Sequence, residues 1–168
     1  FGDNFGSDTV IDTAGSNTLD FSPVTANLDF DTGRYQISDG INLLVYASTD
    51  EGFVSLIAKF IGGTGNDVFI LDPDHELPDG TLIDGGFGSD TLDYSKYITT
   101  VNVNLALGTA TGKFTYVGFE NVIGGSGNDI LVGDDNDNEL TGGTGDDRLT
   151  GGGGNDRLMV GDGNDIYY

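Results

Sequence analysis

The chain has 168 residues, of which 28 are acidic and 6 are basic, so its formal net charge is −22. This charge disfavours nucleic acids and anionic membrane surfaces as partners, because the proteins that bind them carry basic patches. No apolar run approaches the roughly 18 residues of a membrane-spanning helix, and without cysteine no disulfide framework can form. The self-repulsion opposes folding, and bound cations would relieve it.

The first 123 residues alternate between turn-rich repeats and less regular segments. Residues 1–20 contain two degenerate copies of a nine-residue repeat, and residues 21–61 have no such period. Residues 62–93 contain two full copies, GGTGNDVFI and GGFGSDTLD, which are separated by an acidic loop. Residues 94–123 are again irregular. We expect the irregular segments to be wider coils of the same structure as the repeats.

An internal duplication links the two irregular segments. The stretch Thr18–Ser22 reads TLDFS and recurs as TLDYS at Thr91–Ser95. Alternation of apolar and polar residues, clearest at Val101–Leu105, predicts strands in both segments, and a short helical turn is allowed around Val54–Phe60. Glycines are expected to mark the turns at Gly33, Gly40, Gly108 and Gly112.

Five nine-residue blocks follow without insertion from Gly124 to Tyr168: GGSGNDILV, GDDNDNELT, GGTGDDRLT, GGGGNDRLM and VGDGNDIYY. Each has six residues of turn chemistry and then three with an outward, inward, outward pattern. Across all nine copies in the chain the eighth position is apolar: Val10, Leu19, Phe69, Leu92, Leu131, Leu140, Leu149, Leu158 and Tyr167. The sixth is always Asp or Asn: Asp8, Asn17, Asp67, Asp90, Asp129, Asn138, Asp147, Asp156 and Asp165.

Strands of three residues are stable only when they stack. If consecutive blocks run in opposite directions, two blocks make one coil of about eighteen residues and every second block joins a parallel ladder. The sequence therefore predicts an all-β fold, a right-handed parallel β-roll or β-solenoid, as one domain over 1–168. It also places Asp129, Asp147 and Asp165 on one edge, and Asn138 and Asp156 on the other.

The gap between stacked loops suits calcium. Strands stack about 4.8 Å apart, so an ion midway between two loops lies roughly 2.4 Å from each layer. Calcium–oxygen distances of about 2.3–2.6 Å fit that gap, whereas magnesium requires about 2.0–2.1 Å and a stricter octahedron. Glycine lets the loops turn carbonyl oxygens toward the cation.

The nine-residue pattern resembles the G-G-x-G-x-D-x-U-x calcium-binding repeat of the RTX β-roll proteins. The resemblance implies Ca²⁺ between stacked loops. By that resemblance, the ion would be held by the second and fourth carbonyls and the sixth-position Asp of one loop, and by the first and third carbonyls and Asp of the next. The predicted ligands are Asp8, Gly63, Gly65, Asp67, Gly85, Gly86, Phe87, Gly88, Asp90, Gly124, Gly125, Ser126, Gly127, Asp129, Asp134, Asn136, Asn138, Gly142, Gly143, Thr144, Gly145, Asp147, Gly151, Gly153, Asp156, Val160, Asp162 and Asp165.

The resemblance also implies a biological setting. RTX proteins are typically bacterial, leave the cell by type I secretion and fold outside it, where calcium is abundant enough to fill weak sites. We therefore expect a calcium-binding structural module, not an enzyme, that folds outside the cell as part of a larger secreted bacterial protein. Its expected partners are calcium and the neighbouring domains of the same polypeptide.

Three alternatives stand beside this prediction. A flexible Gly/Asp-rich linker is disfavoured, because a linker would not keep an apolar residue at one phase in every copy. A ligand-binding module of an adhesin would place a glycan or protein site in the irregular segments 21–61 and 94–121. The third alternative is an accessory module of a secreted hydrolase or epimerase; if the chain were itself part of the enzyme, His75, the single histidine, would be expected to act in catalysis. No catalytic residue is predicted.

Overall fold

The computed structural model describes residues 7–9, 17–32, 36–38, 43–45 and 57–168. All regular elements within these ranges are β-strands, and no helix there could cross a membrane. The strands are β1 (Ser7–Thr9), β2 (Asn17–Asp20), β3 (Asp29–Asp31), β4 (Gln36–Ser38), β5 (Leu43–Val45), β6 (Ile57–Ile61), β7 (Val68–Ile70), β8 (Leu82–Asp84), β9 (Thr91–Asp93), β10 (Asn102–Asn104), β11 (Thr109–Ala110), β12 (Thr115–Val117), β13 (Asn121–Ile123), β14 (Ile130–Val132), β15 (Glu139–Thr144), β16 (Arg148–Thr150), β17 (Arg157–Asp162) and β18 (Ile166–Tyr167). The predicted all-β class is confirmed.

Three sheets organise these strands. The long sheet has the order β1-β5-β4-β3-β7-β9-β13-β15-β17 and contains strands from the whole chain. The first short sheet has the order β12-β8-β6-β2, and the second short sheet has the order β11-β10-β14-β16-β18. From β6 onward the chain passes repeatedly between the long sheet and one of the short sheets. The long sheet is thus common to both halves of the molecule.

The tandem blocks stack as parallel ladders with an offset of 18 residues. Leu131 pairs with Leu149 in the second short sheet, and Leu140 pairs with Leu158 in the long sheet. Leu131, Leu140 and Leu149 are fully buried, so these eighth-position side chains form the core as the sequence pattern indicated. Leu158 is only partly buried, and the expectation is wrong for Tyr167, which is exposed in the last block. These parallel ladders are those of a β-roll. The right-handed coil and the single domain over 1–168 stay predictions.

The strands of the array are longer than the predicted three residues in two places. The ladder between β15 and β17 continues through Gly143↔Gly161 and Thr144↔Asp162, which belong to the following loops. The ladder extends because loops 18 residues apart are in register, so their first residues meet the geometry of paired strands.

The irregular segments contain antiparallel hairpins as well as parallel coils. Strands β3, β4 and β5 pair antiparallel, and β10 pairs antiparallel with β11. Gly108 and Gly112 have φ of 64° and 117° and lie in turns, as expected. Gly33 and Gly40 lie outside the described residues. The helical turn around Val54–Phe60 is wrong from Ile57 onward, where β6 begins, and its earlier residues lie outside the described ranges.

The segment between β9 and β13 joins the two halves. Strand β10 pairs with β14 and therefore belongs to the second short sheet. Strand β12 pairs with β8 and is an edge of the first short sheet. The side opposite the long sheet thus changes from one short sheet to the other within this segment, while the long sheet continues from β9 to β13.

The core changes in character along the molecule. Phe30 stacks on Phe69 with ring centroids 3.9 Å apart, and Phe119 meets Phe69 edge-on at 5.2 Å. Tyr94 is also fully buried and donates a hydrogen bond to Thr111 O at 2.9 Å. The described interior before residue 120 therefore combines aromatic and aliphatic side chains, whereas that of the tandem array is aliphatic.

The internal duplication is visible in the structure. Leu19 pairs with Phe60, and Leu92 pairs with Val122, so the two copies make equivalent parallel ladders. Each then turns through the same bend: Ser22 N donates to Asp20 Oδ1 at 2.8 Å, and Ser95 N donates to Asp93 Oδ1 at 2.7 Å. We call residues 21–28 and 94–101 the platform segments, because a repeat loop rests on each of them.

Candidate metal centres

The glycine-rich loops stack in two columns. Loops of the entry column lead into the long sheet and comprise residues 62–67, 85–90, 133–138 and 151–156. Loops of the exit column leave the long sheet and comprise residues 124–129, 142–147 and 160–165. Asp129, Asp147 and Asp165 therefore share the exit column, and Asn138 and Asp156 share the entry column, on the edges that the sequence predicted for them.

In these stacked pairs of loops, the sixth-position carboxylate of the upper loop accepts a hydrogen bond from a backbone N–H of the lower loop. In the exit column Asp129 N donates to Asp147 Oδ1 at 2.8 Å, and Asp147 N donates to Asp165 Oδ1 at 2.9 Å. The same bond joins the interrupted repeats, where Asp67 N donates to Asp90 Oδ1 at 2.7 Å. These bonds hold each sixth-position carboxylate between two layers.

Each column begins on a platform segment. Leu28 N donates to Asp67 Oδ1, and Val101 N donates to Asp129 Oδ1, both at 2.8 Å. In the register of the repeat loops above them, Leu28 and Val101 stand at the sixth position. Both side chains are fully buried. Because these side chains are apolar, the platforms supply no carboxylate, and the first complete pair of loops lies one layer above.

The second carboxylate oxygen has two different environments. Asp129 Oδ2 accepts a hydrogen bond from Gly125 N of its own loop at 2.7 Å. Asp147 Oδ2 is buried and has no hydrogen-bond partner. The difference follows from the second residue of the loop, since Gly143 has a φ of 110° and its N–H is not bonded to Asp147. An unpartnered buried carboxylate oxygen is costly unless a cation or a proton meets it.

The interrupted repeats show the same contrast. Asp67 Oδ2 accepts a hydrogen bond from Gly63 N at 2.8 Å, whereas Asp90 Oδ2 is buried without a partner. The second residue of the upper loop, Gly86, has a φ of 100°. In both columns, the loop with the unpartnered oxygen lies above another repeat loop, whereas the loops of Asp67 and Asp129 lie above a platform segment.

Backbone carbonyls of each layer approach the adjacent layer. A Cβ on Gly143 or Gly145 would collide with Gly125 O or Gly127 O, the second- and fourth-position carbonyls of the loop below. In the opposite direction, Gly142 O of the upper loop faces Gly124 of the lower one. The third-position carbonyl of loop 160–165, Asp162 O, also points down to the loop below it. It accepts a hydrogen bond from Gly145 N at 2.9 Å.

Burial shifts the pKa of these carboxyl groups upward. Desolvation raises the pKa of Asp67 to about 6, and desolvation together with the charges of Asp67 and Glu120 raises that of Asp90 to about 7. Burial also raises the pKa of Asp129 and of Asp147, the latter helped by neighbouring carboxylates. Each layer adds another carboxylate to a poorly solvated column, and the repulsion between these charges disfavours the ionised forms. A bound cation would reverse this effect and favour ionisation.

The donor set is that of a hard cation. Within the described residues no group of three or more His, Cys, Asp or Glu side chains is suitably arranged to hold a metal. The loop pairs offer backbone carbonyls with two sixth-position side chains, and oxygen-only ligation of this kind is typical of Ca²⁺. The pairs are 62–67 with 85–90, 133–138 with 151–156, 124–129 with 142–147, and 142–147 with 160–165.

The predicted ligands are not equivalent. Asn138 replaces the lower carboxylate in its pair, and its Nδ2 donates to Glu120 O at 2.9 Å while its Oδ1 accepts from Asp134 N at 2.8 Å. This pair therefore has one fewer negative charge than the exit pairs, and we expect it to hold calcium more weakly. Asp8 lies in β1, and its side chain lies outside the described residues.

His75 lies away from the stacked loops. It follows β7 in the connection to β8, and its Nδ1 is 3.6 Å from Asp72 Oδ1. Lys96 of a platform segment contacts both Asp31 and Asp72, at 2.9 and 3.4 Å. These contacts tie the connection to the adjacent coils.

Two residues near the columns escaped the sequence analysis. Asp90 N donates to Glu120 Oε2 at 2.9 Å, and Gly118 O faces Gly85 from the layer above. The repeat pattern does not cover residues 118–120, so neither was a candidate. A signal was present, because Glu120 precedes the inward-facing Val122 by two residues, as Asp90 precedes Leu92.

Comparison with known proteins agrees with this geometry. Residues 116–145 and 132–167 match the family described as the RTX calcium-binding nonapeptide repeat, with four copies. No curated protein matches the chain. The RTX repeats bind Ca²⁺, and the matched residues contain both exit loop pairs and the upper entry pair. The tandem array, which the matched residues cover up to Tyr167, therefore consists of RTX calcium-binding nonapeptide repeats.

Proposed function

We propose that this chain is a calcium-ordered structural module of a larger secreted bacterial protein, and that it folds when Ca²⁺ enters between its stacked loops outside the cell. The observation that supports this proposal best is Asp147 Oδ2, a buried carboxylate oxygen without a partner between two stacked loops. A cation in the gap would supply the missing partner and would offset the charge of the neighbouring carboxylates.

Electrostatics explains why folding would require the ion. Residues 124–168 contain ten acidic and two basic residues, and stacking brings the sixth-position carboxylates into register. The array has a narrow leucine core to oppose this repulsion. When a site exists only in the folded state, the free energy of metal binding contributes directly to folding. Each coil contacts its neighbours, so order should spread cooperatively along the stack.

Calcium concentration would then determine where the module folds. Sites built largely from neutral carbonyls are suited to the millimolar calcium outside cells and remain empty at cytosolic levels. A chain that stays unfolded until it has left the cell is suited to export as an extended polypeptide. The module's role would be structural support for neighbouring domains of the same protein.

A calcium titration followed by far-UV circular dichroism tests the proposal, with magnesium as the matched control. We expect a cooperative gain of β-sheet signal with calcium and little change with magnesium, because stacked layers fit the larger ion. Full β-sheet signal in chelator, or an equal response to magnesium, would contradict calcium-dependent folding.

A second candidate function is ligand binding on the outer face of the long sheet. A shallow groove there has a row of polar side chains along the entry column side. Asn66 N donates to Asn27 Oδ1 at 2.9 Å, Ser89 N donates to Asn66 Oδ1 at 3.0 Å, and Asn121 Nδ2 donates to Ser89 Oγ at 2.9 Å. Regularly spaced amides and hydroxyls suit a hydroxyl-rich ligand such as a glycan. A glycan array probed with the calcium-loaded chain would test this function, and retention of no glycan would count against it.

A further inference from the structure

The entry column contains a layer that is not a repeat loop. Above the loop 85–90 lies the short segment 118–120, which connects β12 to β13. The register between β9 and β13 pairs Asn121 with Thr91 and Val122 with Leu92. This register places Glu120 directly above Asp90, at the sixth position of its layer.

The contacts of this layer match those of a repeat pair. Asp90 N donates to Glu120 Oε2 at 2.9 Å, as Asp147 N donates to Asp165 Oδ1 at 2.9 Å in the exit column. Asp90 O in turn accepts hydrogen bonds from Glu120 N at 3.2 Å and from Asn121 N at 2.9 Å. The carboxylate of Glu120 is thus held above the lower loop by the bond that holds an aspartate in the repeats.

An unpartnered oxygen faces this layer. Asp90 has no exposed surface, and its Oδ2 has no hydrogen-bond partner. A Cβ built on Gly85 would lie 2.6 Å from Asp90 Oδ2 and still closer to Gly118 O, so both oxygens lie beside the same point of the backbone. A buried carboxylate oxygen that has no partner and lies near a second electron-rich oxygen is unfavourable unless a cation or a proton meets it.

Two further oxygens lie near Gly118. A Cβ on Gly118 would lie 3.4 Å from Gly86 O, the second-position carbonyl of the loop below. The same point would be 3.7 Å from Asp84 Oδ1. The other oxygen of Asp84 forms an ion pair with Lys59 Nζ at 3.2 Å, so a cation already offsets part of that charge.

We propose that a divalent cation of the calcium class binds between loop 85–90 and segment 118–120, with Asp90 Oδ2, Gly118 O and the Glu120 carboxylate as ligands. The choice of ion rests on the proposed function, whereas the site uses a segment without the glycine-rich repeat. Oxygen donors, two of them anionic, favour a hard cation. Glu120 O also accepts a hydrogen bond from Asn138 Nδ2 at 2.9 Å, so this site would join the interrupted repeats to the tandem array.

Calorimetric titration of the complete chain with calcium chloride tests the site through the variant Glu120→Gln. Glutamine keeps an oxygen to accept from Asp90 N but removes the charge. The matched control is Glu139→Gln, which removes the same charge from an exposed side chain that pairs with Arg157 on the outer face of the long sheet. We expect Glu120→Gln to lose one equivalent of calcium or to weaken one site at least roughly tenfold, with Glu139→Gln unchanged. Identical titrations of the two variants would overturn the proposal.

Anomalous diffraction from calcium-soaked crystals of the unaltered chain gives a second test, which does not depend on how Glu120→Gln folds. We expect a calcium peak between Asp90 Oδ2 and Gly118 O. Peaks between loops 142–147 and 160–165 without one at segment 118–120 would overturn this site and leave the proposed function intact. Absence of calcium from every loop pair would overturn both.

Discussion

The interrupted half of the molecule, residues 57–93, and the tandem array, residues 124–168, apply one stacking scheme with different means of stabilisation. Both begin on a platform segment whose backbone amide holds the first aspartate, Asp67 in one half and Asp129 in the other. Above that layer the interrupted half alternates repeat loops with longer connections. The array repeats the same nine-residue pattern without longer connections.

The two halves differ most in what they bury. Phe60 and Phe69 are buried in the interrupted half, and Phe30 of the preceding coil packs between them. The first three blocks of the array each bury one leucine, Leu131, Leu140 or Leu149. An aromatic side chain buries about 150–250 Å², and apolar burial is worth roughly 25 cal/mol per Å². We therefore expect apolar burial to replace cations in the wider coils, and the array to depend on ions between its loops.

This difference shows what the repeat encodes. The apolar eighth position fixes the register of a coil, and the sixth-position carboxylate builds the column, yet neither supplies a large core. We therefore expect the stability of the array to depend on calcium, and that of the interrupted half to depend on it less. Variants that separate the two contributions test this conclusion.

The largest expected effect is that of Phe69→Ala compared with Leu149→Ala. Removing either buried side chain in the presence of calcium should lower the free energy of unfolding, by about 3–5 kcal/mol for phenylalanine and about 2–5 kcal/mol for leucine. In chelator, Phe69→Ala should still destabilise the residual structure, whereas Leu149→Ala should have no effect because the array is unfolded. Chemical denaturation followed by circular dichroism measures both. Equal losses from the two variants in chelator would contradict the distinction between the halves.

A glycine pair in the interrupted half separates close stacking from backbone strain. Gly86 and Gly80 both have positive φ, 100° and 82°, but a Cβ on Gly86 meets Gly63 O, whereas a Cβ on Gly80 meets no atom within 4 Å. Gly80→Ala should cost about 1 kcal/mol from backbone strain. Gly86→Ala should cost a further 1–3 kcal/mol, approximately, because the stacked loops would have to separate. Thermal unfolding in calcium compares them, and equal losses would exclude close stacking of the loops.

Aspartates at the centre and end of the exit column should differ in their effect on calcium binding. Asp147 lies between two loops, and Asp165 belongs to the last loop of its column. Asp147→Ala should weaken calcium binding roughly 10–100-fold, because it removes a buried carboxylate from two loop pairs, and Asp165→Ala about tenfold or less. Calorimetric titration measures both, with Asp135→Ala as a control that removes an exposed aspartate from the array. Equal effects from Asp147→Ala and Asp165→Ala would contradict the stacking scheme.

The smallest expected effect is a dependence of the calcium-free protein on pH. The pKa of Asp67 is about 6 and that of Asp90 about 7, against roughly 3.9 in an unfolded chain. Between pH 4 and 7, approximately, the folded state binds more protons than the unfolded state, so stability falls as pH rises. In chelator the unfolding temperature should therefore rise by a few degrees, roughly, from pH 8 to pH 5. Calcium affinity should fall over the same range, because protons compete with the ion.

Asp90→Asn provides the control for this dependence. It removes the group with the higher pKa while retaining an oxygen that accepts from Asp67 N. The variant should show a weaker dependence on pH in chelator. An unfolding temperature that stays constant or falls on acidification of the unaltered chain would show that these carboxyl groups are not buried in the calcium-free fold.

Periodicity explains which parts of the structure could be predicted. The nine-residue phase predicted the buried leucines and the columns of Asp129, Asp147 and Asp165, because each block repeats one local conformation. It could not predict the hairpin of β10 and β11 or the change between the short sheets, which depend on packing over long separations. Glu120 was missed for a related reason: it reaches the column through the register of β13, without a glycine-rich turn to mark it.

Hydrogen exchange with and without calcium tests the central claim most directly, because it reports on both halves in one experiment. The backbone amides of Asp129 and Asp147 donate to carboxylates of the next loop. In the interrupted half, the amides of Val68 and Thr91 donate to backbone carbonyls of the adjacent layer. We predict that calcium slows exchange of peptides covering 124–165 at least roughly tenfold, with a smaller change in peptides covering 57–93. Protection of the array that is equal in chelator and in calcium would contradict the claim that ions between the loops hold it together.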